Sequence, residues 1–220
     1  MKSSPVSRSS HGVTIVDDTV FMFGGEHEAR TPVANDLHSL DLSQATLEWR
    51  KVAVTGDVPS ARFGHGQCSV GPFLYVFGGR QGTAIDEKLL NDLYKFDTRT
   101  NVWSQVHVSG DVPCARSFHS MVARGSSIFV FGGCPETGRL ADLHHYDTET
   151  STWTRLETGP MEGRGGTPLV ATPAGDLFVI GGFAGREMGD IQKYNISTNK
   201  WETMKEVGNI CETKPKESKL

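Results

Sequence analysis

Four arginines, four double glycines and four tryptophans recur in one order at one spacing. The arginines are Arg8, Arg62, Arg116 and Arg164, separated by 54, 54 and 48 residues. The pairs Gly24-Gly25, Gly78-Gly79, Gly132-Gly133 and Gly181-Gly182 follow at 54, 54 and 49, and Trp49, Trp103, Trp153 and Trp201 at 54, 50 and 48. Three independent markers sharing a period make chance a poor explanation, and a fixed period of this size marks a repeat architecture. The 220 residues therefore read as four units of about fifty, at about 8–61, 62–115, 116–163 and 164–204, and not as one ordinary domain.

Each unit reads as four strands. The first begins just after the arginine, as in 65–70 and 119–123. The second is an apolar run ending at the glycines: Val20-Phe21-Met22-Phe23, Leu74-Tyr75-Val76-Phe77, Ile128-Phe129-Val130-Phe131 and Leu177-Phe178-Val179-Ile180. Aromatic and β-branched residues in an unbroken run suit a strand buried on both faces. The third starts and ends on Asp, at 36–41, 92–97 and 142–147, with 190–195 as a weaker copy. The fourth surrounds each Trp. Turn residues separate the units, as in Thr55-Gly56-Asp57-Val58-Pro59 and Ser109-Gly110-Asp111-Val112-Pro113. No segment keeps a helical period. A single four-stranded sheet cannot bury two apolar faces, whereas sheets stacked radially bury both and leave only short edges. The expected fold is all-β: a propeller of four four-stranded blades over 8–204, with each Trp covering the gap between neighbouring sheets.

Composition excludes several classes. There are 22 Lys+Arg against 26 Asp+Glu, a net charge of −4, so no basic face for nucleic acid is expected. No apolar run approaches the ~18 residues of a spanning helix, so no membrane partner is expected either. Residues 1–10 lack the apolar core of a secretory signal. Cys68, Cys114, Cys134 and Cys211 show no C-x-x-C spacing and read as free thiols in a reducing compartment. No G-x-S-x-G, G-x-x-x-x-G-K, G-x-G-x-x-G or H-E-x-x-H occurs.

The glycine pair after an apolar strand, the downstream aromatic and the Trp resemble the kelch repeat over about residues 8–204. That resemblance implies a β-propeller with one blade per repeat. Kelch propellers usually carry five to seven blades, and only seven residues precede Arg8. A four-blade ring, an open array, self-association that completes the propeller, and an incomplete gene model all stay open. Arg8-Ser9-Ser10-His11-Gly12, Phe23-Gly24-Gly25-Glu26, Ala115-Arg116-Ser117-Phe118-His119-Ser120 and Arg164-Gly165-Gly166 further resemble the plant glucosinolate-specifier kelch proteins. The second resemblance implies redirection of thiohydroximate-O-sulfates toward nitriles with ferrous iron held by Glu-x-x-x-Asp-x-x-x-His. No Glu here has Asp at +4 and His at +8.

The equivalent arginines Arg8, Arg62, Arg116 and Arg164 fall on one rim. Converging guanidinium groups suit an anionic small ligand or an acidic peptide. The alternative is architectural pairing with Asp36, Asp92, Asp142 and Asp190. His11, His65 and His119 sit three residues after their arginines, and no metal site is expected from them. His144 and His145 are strand neighbours, so they point to opposite faces. Variation between units falls on the residues after the glycines, among them Glu26 and Arg80, and on the loops at 27–35, 81–91, 135–141 and 184–189. Such loops on a rigid scaffold carry specificity, so Glu26 and Arg80 are candidates for a polar pair beside a ligand, the alternative being that both are solvated loop residues.

The expected function is a non-catalytic scaffold binding a partner protein through rim loops, with no cofactor. The alternative is an iron-dependent specifier-like lyase cofactor. Residues 205–220 are charged and expected to be disordered. They end Ser218-Lys219-Leu220, the peroxisomal address, so an import receptor is an expected partner and the peroxisome the expected location, with the cytoplasm as alternative.

Overall fold

The computed structural model describes residues 4–83 and 86–204. The expected tail and Ser218-Lys219-Leu220 lie outside the described residues. Every described element is a strand. No helix there is long and apolar enough to cross a membrane.

Blade 1 contains β1 (Gly12–Val16), β2 (Thr19–Phe23), a loop hairpin of β3 (Glu26–Glu28) and β4 (Thr31–Pro32), β5 (His38–Asp41) and β6 (Trp49–Lys51). Blade 2 contains β7 (Thr55–Gly56), β8 (Gly66–Val70), β9 (Phe73–Gln81), β10 (Lys88–Asp97) and β11 (Val102–Gln105). Blade 3 contains β12 (Ser109–Gly110), β13 (Ser120–Arg124), β14 (Ser127–Gly133), β15 (Leu140–Asp147) and β16 (Thr152–Arg155). Blade 4 contains β17 (Leu169–Ala171), β18 (Asp176–Phe183), β19 (Glu187–Asn195) and β20 (Lys200–Thr203). Within each blade the four repeat-derived strands form an antiparallel meander in chain order. The first strands β1, β8, β13 and β17 pack in succession, forming a four-blade propeller array.

Two sheets are wider than the sequence suggests. Thr55 and Gly56, expected in a turn, pair in parallel with Val102 and Trp103, and Ser109 and Gly110 pair likewise with Thr152 and Trp153. In blades 2 and 3 the outer strand leaves backbone groups free, and the connection from the preceding unit meets them. Gly56 fits because its φ is +83° and a Cβ would lie 2.2 Å from the Trp103 carbonyl oxygen.

The glycine pair has a similar origin. Gly78 and Gly79 take φ values of +61° and +96°. A Cβ on Gly78 would approach the Arg116 carbonyl to 2.9 Å, and one on Gly79 the Phe63 carbonyl to 2.8 Å. The gap is closed because Gly79 N–H donates to the Arg116 carbonyl of the next blade at 2.9 Å. Gly25 and Gly133 make the same bond to Arg62 and Arg164. The closing Asp of the third strand caps the following turn in blades 1–3: Asp41, Asp97 and Asp147 accept the backbone N–H two residues on.

Three apolar clusters bind the blades. Trp103 lies 5.5 Å from Phe23 of blade 1 and 5.0 Å from Phe96 of its own blade. Trp153 repeats this with Phe77 and Tyr146, and Trp201 with Phe131 and Tyr194. Burying one indole stabilises by about 4–6 kcal/mol before ordering costs. The clusters join blades 1–2, 2–3 and 3–4, and none among the described residues joins blade 4 to blade 1.

Candidate functional site

The rim arginines are drawn inside. Arg62, Arg116 and Arg164 are 0%, 0% and 1% exposed. Arg116 uses all five N–H groups: Nε donates to the Cys114 carbonyl, Nη1 to the Gly132 carbonyl and Asp142, and Nη2 to Asp142 and Cys114 Sγ. The carboxylate contacts are 2.7 and 2.8 Å, a bidentate fork. Arg62 repeats the set with Ser60, Gly78 and Asp92, and Arg164 repeats four of the five bonds with the Glu162 carbonyl, Gly181 and Asp190. The Arg116 guanidinium holds the Asp142 carboxyl below the usual carboxylate range, against the opposing effect of burial. In these three blades the arginine and the Asp opening the third strand pair as the architectural alternative requires.

Blade 1 differs. Arg8 donates to the Val6 and Gly24 carbonyls, while Asp36 pairs with Lys51 at 2.6 Å. Glu26 and Arg80 do not pair with each other. Glu26 accepts from Ser10 Oγ and the Arg30 backbone N–H, both at 2.7 Å, closing the β3–β4 hairpin. Arg80 donates to Ser117 Oγ at 2.8 Å and pairs with Glu87 at 2.5 Å. Glu87 also meets Arg30 at 3.5 Å. The two candidates are thus linked through Arg30 and Glu87, because each is pulled first to the nearest partner within its own loop.

The variable loops do gather at one end. The residue after each glycine pair bridges the residue after each arginine: Glu26 with Ser9, Arg80 with Phe63, Cys134 with Ser117, Phe183 with Gly165. Arg139 of blade 3 lies 4.7 Å over the Phe183 ring of blade 4. Between blades 2 and 3 the loops enclose an open cleft of about 560 Å³, lined by Arg80, Glu87, Lys88, Cys114, Pro135 and Glu136 among others. Its charges are mixed, two cations and two carboxylates.

Next to this face a backbone series runs from blade to blade. Gly64 N–H donates to Ser10, Phe118 N–H to Gly64 and Gly166 N–H to Phe118, at 2.7–2.9 Å. All four residues have positive φ. At Phe118 the value is +53°, a conformation that costs a non-glycine residue about 1–2 kcal/mol. Its ring lies tilted against buried Phe63 at 6.2 Å and remains 37% exposed. Sequence reasoning missed Phe118. The available signal was its company, since Ser10, Gly64 and Gly166 are small at the equivalent position.

His65 and His119 are buried against Phe23 and Phe77. Burial, with nearby Arg62 or Arg116, pushes each imidazole down to about 3. His144 is buried beside Asp142, and His145 bonds Ser127 Oγ on the other face at 2.8 Å. Among the described residues no three His, Cys, Asp or Glu converge to hold a metal ion, so no donor set there fits the ferrous iron of the specifier reading. Cys68, Cys114 and Cys134 are free thiols.

The family described as the KLHDC2/KLHL20/DRC7 Kelch-repeats domain matches residues 10–218. Kelch domain-containing protein 3 of Rattus norvegicus is 31% identical over 220 residues, covering 93% of this chain and 56% of the relative. The N-(sulfonatooxy)prop-2-enimidothioate sulfolyase of Thlaspi arvense is 33% identical, covering 82% of this chain and 53% of that protein. Acyl-CoA-binding domain-containing protein 4 of Arabidopsis thaliana is 31% identical over 85% of this chain and 28% of its own length. The chain spans about half the length of the first two curated relatives and under a third of the last. With four blades joined by glycine pairs and interblade tryptophans, and with the family match running through all four, the chain belongs to the kelch-repeat family.

Proposed function

We propose that the chain is a kelch scaffold that binds a partner protein at its loop face, without catalysis of its own. The cleft between blades 2 and 3 takes a short peptide segment, and part-exposed Phe118, next to Ser117 that bonds Arg80 of the cleft, offers an aromatic anchor. The observation that carries this reading is the cleft itself, built from two loops that differ between repeats and placed on the face where those loops gather. Arg80 and Lys88 favour acidic side chains or an anionic small ligand, and Glu87 and Glu136 restrict how many. Aromatic anchors in such settings carry much of the binding energy.

The experiment is selection of a displayed random-peptide library on the immobilised chain, repeated on Ala115→Arg, which fills the cleft, and on Phe118→Ser. A motif enriched on the wild type and lost on both variants supports the reading. No enrichment, or enrichment unchanged by Ala115→Arg, sinks it.

A second reading is favoured by the likeness to the Thlaspi sulfolyase and by Ala115-Arg116-Ser117-Phe118-His119-Ser120: nitrile formation from a thiohydroximate-O-sulfate. Against it stands the Arg116 side chain, whose donors are all engaged. Product analysis with a glucosinolate, its thioglucosidase and iron(II) tests it, and nitrile above the no-protein control would establish it. For location, Ser218-Lys219-Leu220 supports delivery to the peroxisome through its import receptor, with the cytoplasm as the alternative.

A further inference from the structure

The interblade contact changes at one corner, at the end of the strands away from the glycine pairs. Between blades 2 and 3, Val70 and Phe73 fill that corner and pack on the cluster around Tyr75 and Tyr146. Lys95 Nζ and the Arg99 guanidinium lie over the Phe73 ring at 4.9 and 5.4 Å. Between blades 1 and 2 the same positions are Val16, which is buried, and Thr19. In blade 3 they become Arg124 and Ser127. The register is unchanged, since Val70 faces Phe73, and Arg124 faces Ser127, across the same hairpin. The third interface therefore lacks a ring where the second has one, and carries a cation where the first two have valine.

A second change opens the corner further. In blades 2 and 3 the incoming connection pairs with the outer strand, and Gly56 and Gly110 there take φ values of +83° and +80°. The blade 4 sheet has four strands only. Pro160 stands at the position of those glycines, and its ring holds φ at about −65°, so the parallel strand cannot form. Glu157 N–H donates instead to the Asn199 side chain at 3.4 Å, and Trp201 Nε1 to the Glu157 carbonyl at 2.7 Å. What remains between blades 3 and 4 is a cavity of about 210 Å³. Phe129, Leu156 and Ile196 form its apolar wall. On its polar side Arg124 is exposed and uses one N–H on the Pro173 carbonyl at 3.3 Å, with no carboxylate paired to it among the described residues. Asn199 Oδ1 accepts from Tyr194 Oη and the Glu157 N–H, which leaves its Nδ2 donors unpartnered among the described residues. The acids close by are turned away: Asp147, beside His145, caps its own turn, and Glu157, near Tyr194, is exposed.

We propose that this cavity binds a small aromatic acid. The ring enters against Phe129, Leu156 and Ile196, at the place Phe73 fills one blade earlier, and the carboxylate meets the free N–H groups of Arg124 and Asn199. The size agrees, since an apolar cavity of about 150 Å³ holds one benzene ring and the additional volume suits a short acidic arm. The charge agrees, since the unpartnered polar groups are donors and a guanidinium fork recognises a carboxylate in its own plane. The repeat itself shows that an aromatic ring is accommodated at this corner, with cations beside it, when the chain supplies the ring.

Ligand-observed NMR and calorimetric titration of the full chain with phenylacetate test this. The expected Kd is about 1 mM or tighter. Binding of 2-phenylethanol, which keeps the ring and loses the charge, should be about tenfold weaker, and acetate should not bind. Ser127→Phe and Arg124→Val copy blade 2 residues into blade 3, and urea unfolding confirms that the blades persist. Ser127→Phe should abolish binding by filling the cavity. Arg124→Val should weaken phenylacetate to the level of 2-phenylethanol and leave 2-phenylethanol unchanged. No binding of phenylacetate, binding unaltered by Ser127→Phe, or equal affinity for the acid and the alcohol on the wild type overturns the proposal. The cleft of the peptide selection lies at the other end of the strands, so Ala115→Arg should leave phenylacetate binding intact. A loss of binding on Ala115→Arg would place the acid at the loop face and overturn this site, whereas failure of the peptide selection leaves it standing.

Discussion

Acidification should destabilise this protein before its carboxylates titrate, and the buried histidines set the slope. His65 and His119 lie within the blade interfaces, and burial, with Arg62 or Arg116 close by, lowers each imidazole to about 3. In the unfolded chain each returns to about 6.5. Below pH 6.5 the unfolded chain therefore takes up protons that the folded chain refuses. The stabilisation from keeping these rings neutral is complete above about 6.5 and is lost as pH falls toward 3. Each histidine contributes a slope of about 1.4 kcal/mol per pH unit in that window. Between pH 6.5 and 5 the loss is about 2 kcal/mol per ring, or about 4 kcal/mol for the pair, against a typical total stability of about 5–15 kcal/mol. His144, lowered to about 4, and His11, His38 and His145, also lowered by burial, steepen the slope further. The assay is urea unfolding at intervals from pH 7 to 4.5 for wild type, His65→Asn, His119→Asn and the double variant. The substitutions lower stability at every pH, so the slope is the quantity to compare. Each should remove about 1.4 kcal/mol per pH unit. Parallel slopes for wild type and double variant would refute the reasoning, as would an imidazole seen by NMR to titrate near 6.5 in the folded chain.

Other expectations follow from the same contacts. Asp142→Ala strands the buried Arg116 guanidinium and should cost about 3–5 kcal/mol in urea unfolding. Asp36→Ala removes the part-exposed Lys51 pair and the weaker attraction to Arg8 and His38 and should cost under about 1 kcal/mol, so equal losses at the two positions would contradict the clamp as described. Phe63→Ala empties a buried site and should cost about 3–5 kcal/mol. Phe118→Gly relieves a left-handed backbone while giving up a half-exposed ring, and its stability in urea unfolding should stay within about 1 kcal/mol of wild type. A fluorescent protein fused before Met1 should carry the chain to peroxisomes through Ser218-Lys219-Leu220, and one residue added after Leu220 should return it to the cytoplasm. Unchanged localisation on that addition counts against the address.

The repeat period, the second strands and their glycine pairs, and the interblade tryptophans were all legible in the sequence. Each is written within a few residues: an apolar run, a position without Cβ, a turn that only certain side chains can cap. The same local logic missed β7 and β12, because Thr55-Gly56 and Ser109-Gly110 become strands only when a neighbouring blade presents an edge. The candidate site was legible as a face and not as a set of partners. A repeated arginine fits a ligand rim and an internal clamp equally well, and Asp142, 26 residues from Arg116 in sequence, decides which by arriving at 2.7 Å. Glu26 and Arg80 share a repeat position yet are captured by Ser10 and Glu87.

What the sequence determined by itself was the unit: four strands, their order, and the residues that let one blade touch the next. What only the tertiary structure decided was which equivalent residues differ in circumstance. Ile15 and Ala171 are equivalent by repeat, as are Ile180 and Phe131, yet one of each pair packs within an interface and the other faces outward. Sequence periodicity encodes a blade's two apolar faces from local spacing alone. Whether a face is covered depends on a neighbour brought up by the chain some fifty residues away, and only the packed array supplies it.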